Sequence, residues 1–367
     1  MSILMSILRR WSWVLVSLSP TCVFAAEPAP VATLVEHGHF KQARPIVEKT
    51  LSANPKDASA LVLMAKIKMA FFDNDAAAQL AKQAMEIDPK NVDAHVTYAD
   101  AVSRKADDAG LFEKVGIARE LKREMEVALS IDPKNLDALE GMETFYREAP
   151  GIAGGSMSKA KELTDKIMAL DPVRGCLARI DMAAHDKHFD QFEGIYLKAL
   201  EASPNSYIAN ANIAAMYAGE RWKNYDKAIS YAQKTVQLDP TRISPYVTLA
   251  TAYAAQEQWT ELDQSLAMSE KAVPDNLTPH YRAALTLLLT GKDLPRAEKY
   301  FRKYLTQAAE GEAPPLAAAH WRLGQVLEKQ GKKDEAIKEL QTAIDSKPGL
   351  VKQNLKKAKE DLERLKG

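Results

Sequence analysis

The feature that most constrains this chain is a recurring proline. Prolines fall at positions 55, 89, 133, 172, 204, 240, 274 and 348, at intervals of 34, 44, 39, 32, 36, 34 and 74 residues, the last spanning two units. Several arrive in one phrase: Ile87-Asp88-Pro89, Ile131-Asp132-Pro133, Leu170-Asp171-Pro172 and Leu238-Asp239-Pro240. Proline lacks a backbone donor and its ring clashes with the preceding turn, so each of these ends a helix. A period of this length marks an array. Each unit is one supersecondary element that buries its apolar face only against stacked copies.

The unit between Pro240 and Pro274 shows the element. Tyr246, Leu249, Ala250 and Tyr253 stand at i, i+3, i+4 and i+7 and so share one helix face. Ala250 lets a second helix approach closely, and Leu249 and Tyr253 fill the space beside it. Leu262 and Leu266 lie four residues apart on that second helix. Twelve residues before the unit-ending proline stands a small residue in most units, namely Ala43, Ala77, Ala160, Ala228 and Ala336, replaced in three others by Leu121, Phe192 and Leu262. The last unit has His320, Leu323, Gly324 and Leu327, then Gly331 at the turn, Ala336, Leu340, Ala343 and Pro348. These spacings resemble the tetratricopeptide repeat family over nearly all of the chain after its leader. The resemblance implies an all-α, right-handed superhelical solenoid of about nine helical hairpins over residues 26–350. A thin apolar stripe, Leu355, Ala358, Leu362 and Leu365, on an otherwise charged segment predicts a C-terminal capping helix over 351–367.

Composition agrees with a folded array. The chain has 367 residues, 46% hydrophobic and 27% charged, which is too long for one ordinary core and too apolar for disorder. It carries 49 basic and 49 acidic residues, so no global field points to nucleic acid or an anionic membrane. Residues 1–25 read as a signal peptide: Arg9 and Arg10, an apolar run from Trp11 to Phe24, and Val23-Phe24-Ala25 before a cleavage after Ala25. The run is short and interrupted for a membrane span, although a retained leader would act as an anchor. After cleavage one cysteine remains, Cys176, so no internal disulfide is expected.

Two interruptions break the period. Extra residues around Lys105 to Gly110 predict a lengthened second helix in the third unit. Extra residues from Ala149 to Ser156 predict a turn in the fourth, with Pro150 stopping a helix and Ser156 capping the next.

Reactive sites do not assemble in the sequence. Gly151 to Ser156 follows a helix rather than a strand and lacks the Lys-Ser/Thr of a phosphate loop. His185 and His188 stand three apart with no third ligand nearby, and His37 and His39 flank a turn. Asp88, Asp132, Asp171 and Asp239 are turn residues rather than paired acids. No catalytic residue, metal ligand or cofactor is expected.

The resemblance places function in a concave groove. Register carries the family's groove positions onto Asp93, Val96, Asp100 and Arg104, and in the next unit onto Asp137, Glu140, Thr144, Arg147 and Glu148. Later units supply Ile208, Ala211 and Ala215; Ser244, Val247 and Thr251; Thr278, Tyr281, Leu285 and Leu288; and finally Trp321 and Gln325. The N-terminal half therefore reads as charged and the C-terminal half as apolar with aromatic anchors, where binding energy concentrates. Arg179 and Asn212 fall near positions that clamp a terminal carboxylate in some relatives, but Ala183, Ser244 and Thr248 occupy the others, so the clamp is incomplete. The resulting expectation is a periplasmic, non-enzymatic scaffold that binds a polypeptide. The rival is a ligand-binding component of envelope transport or polysaccharide export with a pocket closed by the Ala149–Ser156 turn. A third possibility is self-association through the C-terminal groove.

Overall fold

A computed structural model describes residues 30–106, 110–346 and 349–367; the signal-peptide reading lies outside them. Among the described residues every regular element is helical. The first hairpin pairs α1 (Val31–Glu36) with α2 (Phe40–Ala53), the second α3 (Ala58–Ala70) with α4 (Asn74–Ile87), the third α5 (Val92–Ser103) with α6 (Leu111–Ile131). Next come α7 (Leu136–Glu148) with α8 (Met157–Leu170), α9 (Pro172–His185) with α10 (Phe192–Ala202), and α11 (Tyr207–Ala218) with α12 (Tyr225–Leu238). The last three are α13 (Ser244–Ala255) with α14 (Trp259–Ala272), α15 (Thr278–Thr290) with α16 (Leu294–Tyr304), and α17 (Leu316–Lys329) with α18 (Lys333–Asp345). A final helix, α19 (Lys352–Lys366), packs on α18.

Local chemistry explains a start that recurs in four of the hairpins. Two residues after the proline stands a side chain that accepts from the backbone three residues on: Asp57 from Ala60 at 2.9 Å, Asn91 from Ala94 at 3.0 Å, Asn135 from Ala138 at 2.9 Å and Ser206 from Ala209 at 3.2 Å. Each satisfies a donor that the helix itself leaves orphaned. The Asp before the proline works as a turn residue, with Asp88, Asp132 and Asp239 accepting from the N–H two residues on. Further along, a polar side chain ties the helix back to the proline. Tyr246 donates to Pro240 O at 3.1 Å and Asn210 to Pro204 O at 3.1 Å, while the His95 ring meets Pro89 O at 3.1 Å.

The core is a row of interlocked layers. Ala43, Ala77, Ala160, Ala228 and Ala336 are fully buried, as is Leu262. Gly324 shows why the small position exists, since a Cβ there would stand 2.8 Å from Leu340 Cγ on the facing helix. The two interruptions resolve as expected for α6, which runs 21 residues, and for the turn at Gly151–Ala153. One detail differs: Ser156 sits at the N-cap of α8, but its hydroxyl faces Ser158 Oγ at 3.0 Å and caps nothing. The turn is instead held by backbone, with Ser156 N–H donating to Tyr146 O at 2.7 Å.

Stacking carries the chain round until the first hairpin meets the junctions after the sixth, seventh and eighth. The first hairpin touches the connections that follow α12, α14 and α16. Arg242 donates to Glu36 at 3.2 Å, Gln42 to Asp275 at 3.0 Å, and the Lys41 N–H to Glu310 at 3.0 Å.

Candidate functional site

The side chains that line the inside of the turn come almost wholly from the first helix of each hairpin. On α5 and its C-cap, Asp93, Asp100 and Arg104 share a face at spacings of seven and four; on α7 Asp137 and Glu140 do, and on α9 Arg174 and Asp181. Together with Glu36, Val62, Lys66 and Met69, several of them border a groove of about 760 Å³ that spans hairpins 1 to 5, and Glu312 closes one wall. A second hollow of about 610 Å³ lies at the other end, between Leu288, Leu289, Arg322, Gln325 and Arg364 of α19. Two further hollows, of about 570 and 560 Å³, face outward beside α18 and α16.

Internal pairing fixes part of the groove's charge. The Arg174 guanidinium grips Glu140 through two bonds of 2.6 Å and reaches Asp137 at 2.5 Å. Arg147 pairs with buried Glu143 at 3.0 Å and with Glu148. Burial raises the Glu143 carboxyl, and Arg147 opposes the rise. Asp100 forms neither a side-chain hydrogen bond nor an ion pair among the described residues. Water reaches it, yet the crowding walls of the concavity, with Asp137 close by, push its carboxyl up to about 6. Asp181 is raised as well, again first by desolvation.

The sequence-derived positions divide. Arg104 lines the large groove and donates to Glu312 at 2.7 Å. Val247 and Thr251 are half-buried on the inner face of α13, with the Thr251 hydroxyl turned back to Val247 O at 2.9 Å. Leu288 and Gln325 border the second hollow. Arg179 is exposed and paired with Asp165 at 3.3 Å.

The aromatic anchors are corrected. Trp321 is 2% exposed, and its Nε1–H donates to Asp361 of α19 at 2.9 Å. Gln325 donates to the same carboxylate at 2.8 Å. Tyr281 is buried with its ring edge-on to Phe301 at 5.5 Å, and Leu285 is half-buried. The C-terminal inner face is thus filled by its own helices and by α19. Apolar side chains at these registers complete layers because the capping helix returns over them.

Sequence reasoning missed Lys66, Arg174, Glu36 and Glu312. A signal existed for Arg174, since it lies 34 residues after Glu140, one repeat on. The partners of Glu36 and Glu312 are more than 200 residues away, and no local pattern points to them. His185 and His188 flank an exposed turn; the former's ring contacts Asp186 at 3.0 Å. Among the described residues no group of three or more His, Cys, Asp or Glu is placed to hold a metal ion, and no helix is long and apolar enough to cross a membrane.

Stacked helical hairpins around an inner groove, with no strand among the described residues, define an α-solenoid of the kind that serves as a protein-interaction scaffold. Residues 281–351 match the family described as tetratricopeptide repeat, and the hairpins before them repeat the same helix-pair construction. No curated protein matches the sequence. Among solved structures, the chain is similar to a tetratricopeptide repeat protein from Parabacteroides merdae at 17% identity, covering 84% of this chain and 99% of that one, with a TM-score of 0.42. It is also similar to a chain of the APC/C hetero-tetramer Cut9-Hcn1 at 16% identity, covering 91% and 76%, with a TM-score of 0.45.

Proposed function

We propose that this chain is a non-enzymatic scaffold of the bacterial envelope that takes an extended polypeptide into the groove of hairpins 1 to 5. The observation that carries the reading is the groove itself, about 760 Å³ and continuous across five hairpins. Its lining sets charged side chains among apolar ones such as Val35, Val62 and Met69, and internal pairing leaves Lys66 and Asp93 without a salt bridge among the described residues. An extended chain offers a row of backbone and side-chain groups at the spacing such a row of helices can meet. The leader-like residues 1–25 support export to the periplasm. The rival pocket under the Ala149–Ser156 turn finds less support, because that turn is tightened on its own backbone; a Cβ on Gly155 would lie 1.7 Å from Ala149 O.

A photo-crosslinking residue at Lys66 in the full chain tests this in the envelope fraction. Polypeptide adducts should form there and not from the same residue at Lys82 on the outward helix α4. Equal adducts at both positions, or none at Lys66, would rule the groove out.

A further inference from the structure

We propose that the connection between α16 and α17 is a releasable strap that holds the solenoid shut at the N-terminal end of the groove, so that entry to the groove depends on its release. This deepens the groove reading and rests on it for its consequence. Its test reads closure with no partner present, so failure here leaves polypeptide binding untouched.

The connection runs over residues 305–315, against 273–277 in the preceding hairpin junction. Its middle crosses three hairpins in succession. The Ala308 carbonyl accepts from Lys41 Nζ at 2.5 Å. Glu310 is 3% exposed and accepts from the Lys41 N–H in the first turn of α2, a helix whose own N-cap, His39, provides no side-chain acceptor. A carboxylate from 269 residues away therefore supplies the missing cap. Gly311 has φ +50°, and a Cβ there would stand 2.5 Å from Phe40 Cδ2 and 3.6 Å from the Ala70 Cβ, so the backbone lies flat on α2 and α3. Glu312 then reaches Arg104 on α5.

The same contacts make the closure weaker than the hairpin interfaces. Those bury continuous apolar layers. This junction is mostly polar, and its buried atoms meet at long range: His39 Nδ1 lies 3.7 Å from Asp275 Oδ1 and Lys41 Nζ 3.7 Å from Glu310 Oε2, beyond hydrogen-bond distance. Buried polar atoms without a close hydrogen bond cost stability, and a protein opens first where apolar contact is least. Because Glu312 forms a wall of the groove, lifting the strap widens its mouth.

The test places a cysteine at Asp93, inside the groove, in the full chain with Cys22→Ser, and compares a bulky polyethylene-glycol maleimide with N-ethylmaleimide. Lys41→Glu sets a second carboxylate beside Glu310, and Gly311→Val drives a side chain into Phe40. Each should speed the bulky reagent about tenfold and leave the small one within about twofold, as expected when the open fraction rises. The inference fails if the bulky reagent is unaffected in both variants, or already matches the small one in the parent. A variant that also exposes buried Cys176 has unfolded, and the other then decides; unfolding of both would show a structural brace and sink the strap.

Discussion

The ammonium of Lys41 lies 2.7 Å from the carbonyl oxygen of Asp275, 234 residues further along the chain. With Ala308 O as its second acceptor, one side chain joins the first hairpin to the seventh and eighth. Lys41→Met keeps the apolar stem but leaves both carbonyls without a charged donor. Hydrogen bonds to charged groups contribute about 1.5–3 kcal/mol each. Chemical denaturation should show a loss in that range, mostly in an early local phase, since hairpins 2 to 9 keep their layers.

Tyr253 is buried between α13 and α12, where its hydroxyl accepts from Gln233 at 3.0 Å. Tyr253→Ala should cost about 3–5 kcal/mol, as large aromatic truncations do. Tyr253→Phe removes only the acceptor and should cost about 1 kcal/mol. Urea melts of the two variants separate packing from hydrogen bonding.

Glycines on the helices should respond in opposite directions. A Cβ on Gly175 would stand 2.3 Å from Met168 Cα, so Gly175→Ala forces backbone apart and should cost about 1–3 kcal/mol or more. Gly116, within α6, has nothing within 4 Å of that position. Gly116→Ala should stabilise by about 0.5–1 kcal/mol, because the unfolded chain loses freedom. Thermal unfolding of each variant gives the sign directly.

The closure should tighten as pH falls through neutrality. Burial, seconded by Asp275, raises the Glu310 carboxyl from 4.5 to about 7 against the pull of Lys41 and the α2 backbone. Asp275, 3.7 Å from the His39 ring, raises that imidazole above 6.5. Both groups therefore bind protons more tightly when the ends meet, and their stabilisation is lost as pH rises through the raised values. Asp275 is held below 3.8, His39 and Gln42 outweighing the effect of burial, and its contribution disappears only below that. His37, lowered first by burial and then by Arg242, works in the opposite direction at the neighbouring contact. The ratio of bulky to small maleimide rates at Asp93→Cys, in which thiol ionisation cancels, should be lowest between about pH 4.5 and 6.5 and rise above 7. A flat profile would show that neither group governs the contact.

The C-terminal helix shields an aromatic. Asp361 accepts from Trp321, Gln325 and Arg364, which together keep its carboxyl below 3.8 although burial alone would raise it. Removing residues 351–367 should bare Trp321, red-shift its fluorescence and increase self-association in light scattering.

Much of this architecture was legible because its cause is local. Tyr246, Leu249, Ala250 and Tyr253 declare one helix face by spacing alone, and Pro240 and Pro274 mark where the unit ends. Asp93 and Arg104, which border the groove, were reached only through the register that the family resemblance supplies. Trp321 misled for the complementary reason: a buried layer and an exposed anchor call for the same residue at the same register, and only the returning α19 separates them. Likewise, the Asp before the proline was readable as a turn residue, as at Asp88 and Asp132, whereas the helix cap two residues after the proline, at Asn91 and Asn135, appears only once the backbone is in place.

By itself, then, the sequence determined the hairpin, its period, its close-packed small residues and the charge of the inner face, since each depends on neighbours within about one repeat. The tertiary structure alone decided that the stack curves far enough for Lys41 and Glu310 to meet. Curvature is the accumulated sum of small rotations between hairpins. No residue encodes it singly, so the groove's closed end belongs to the whole array.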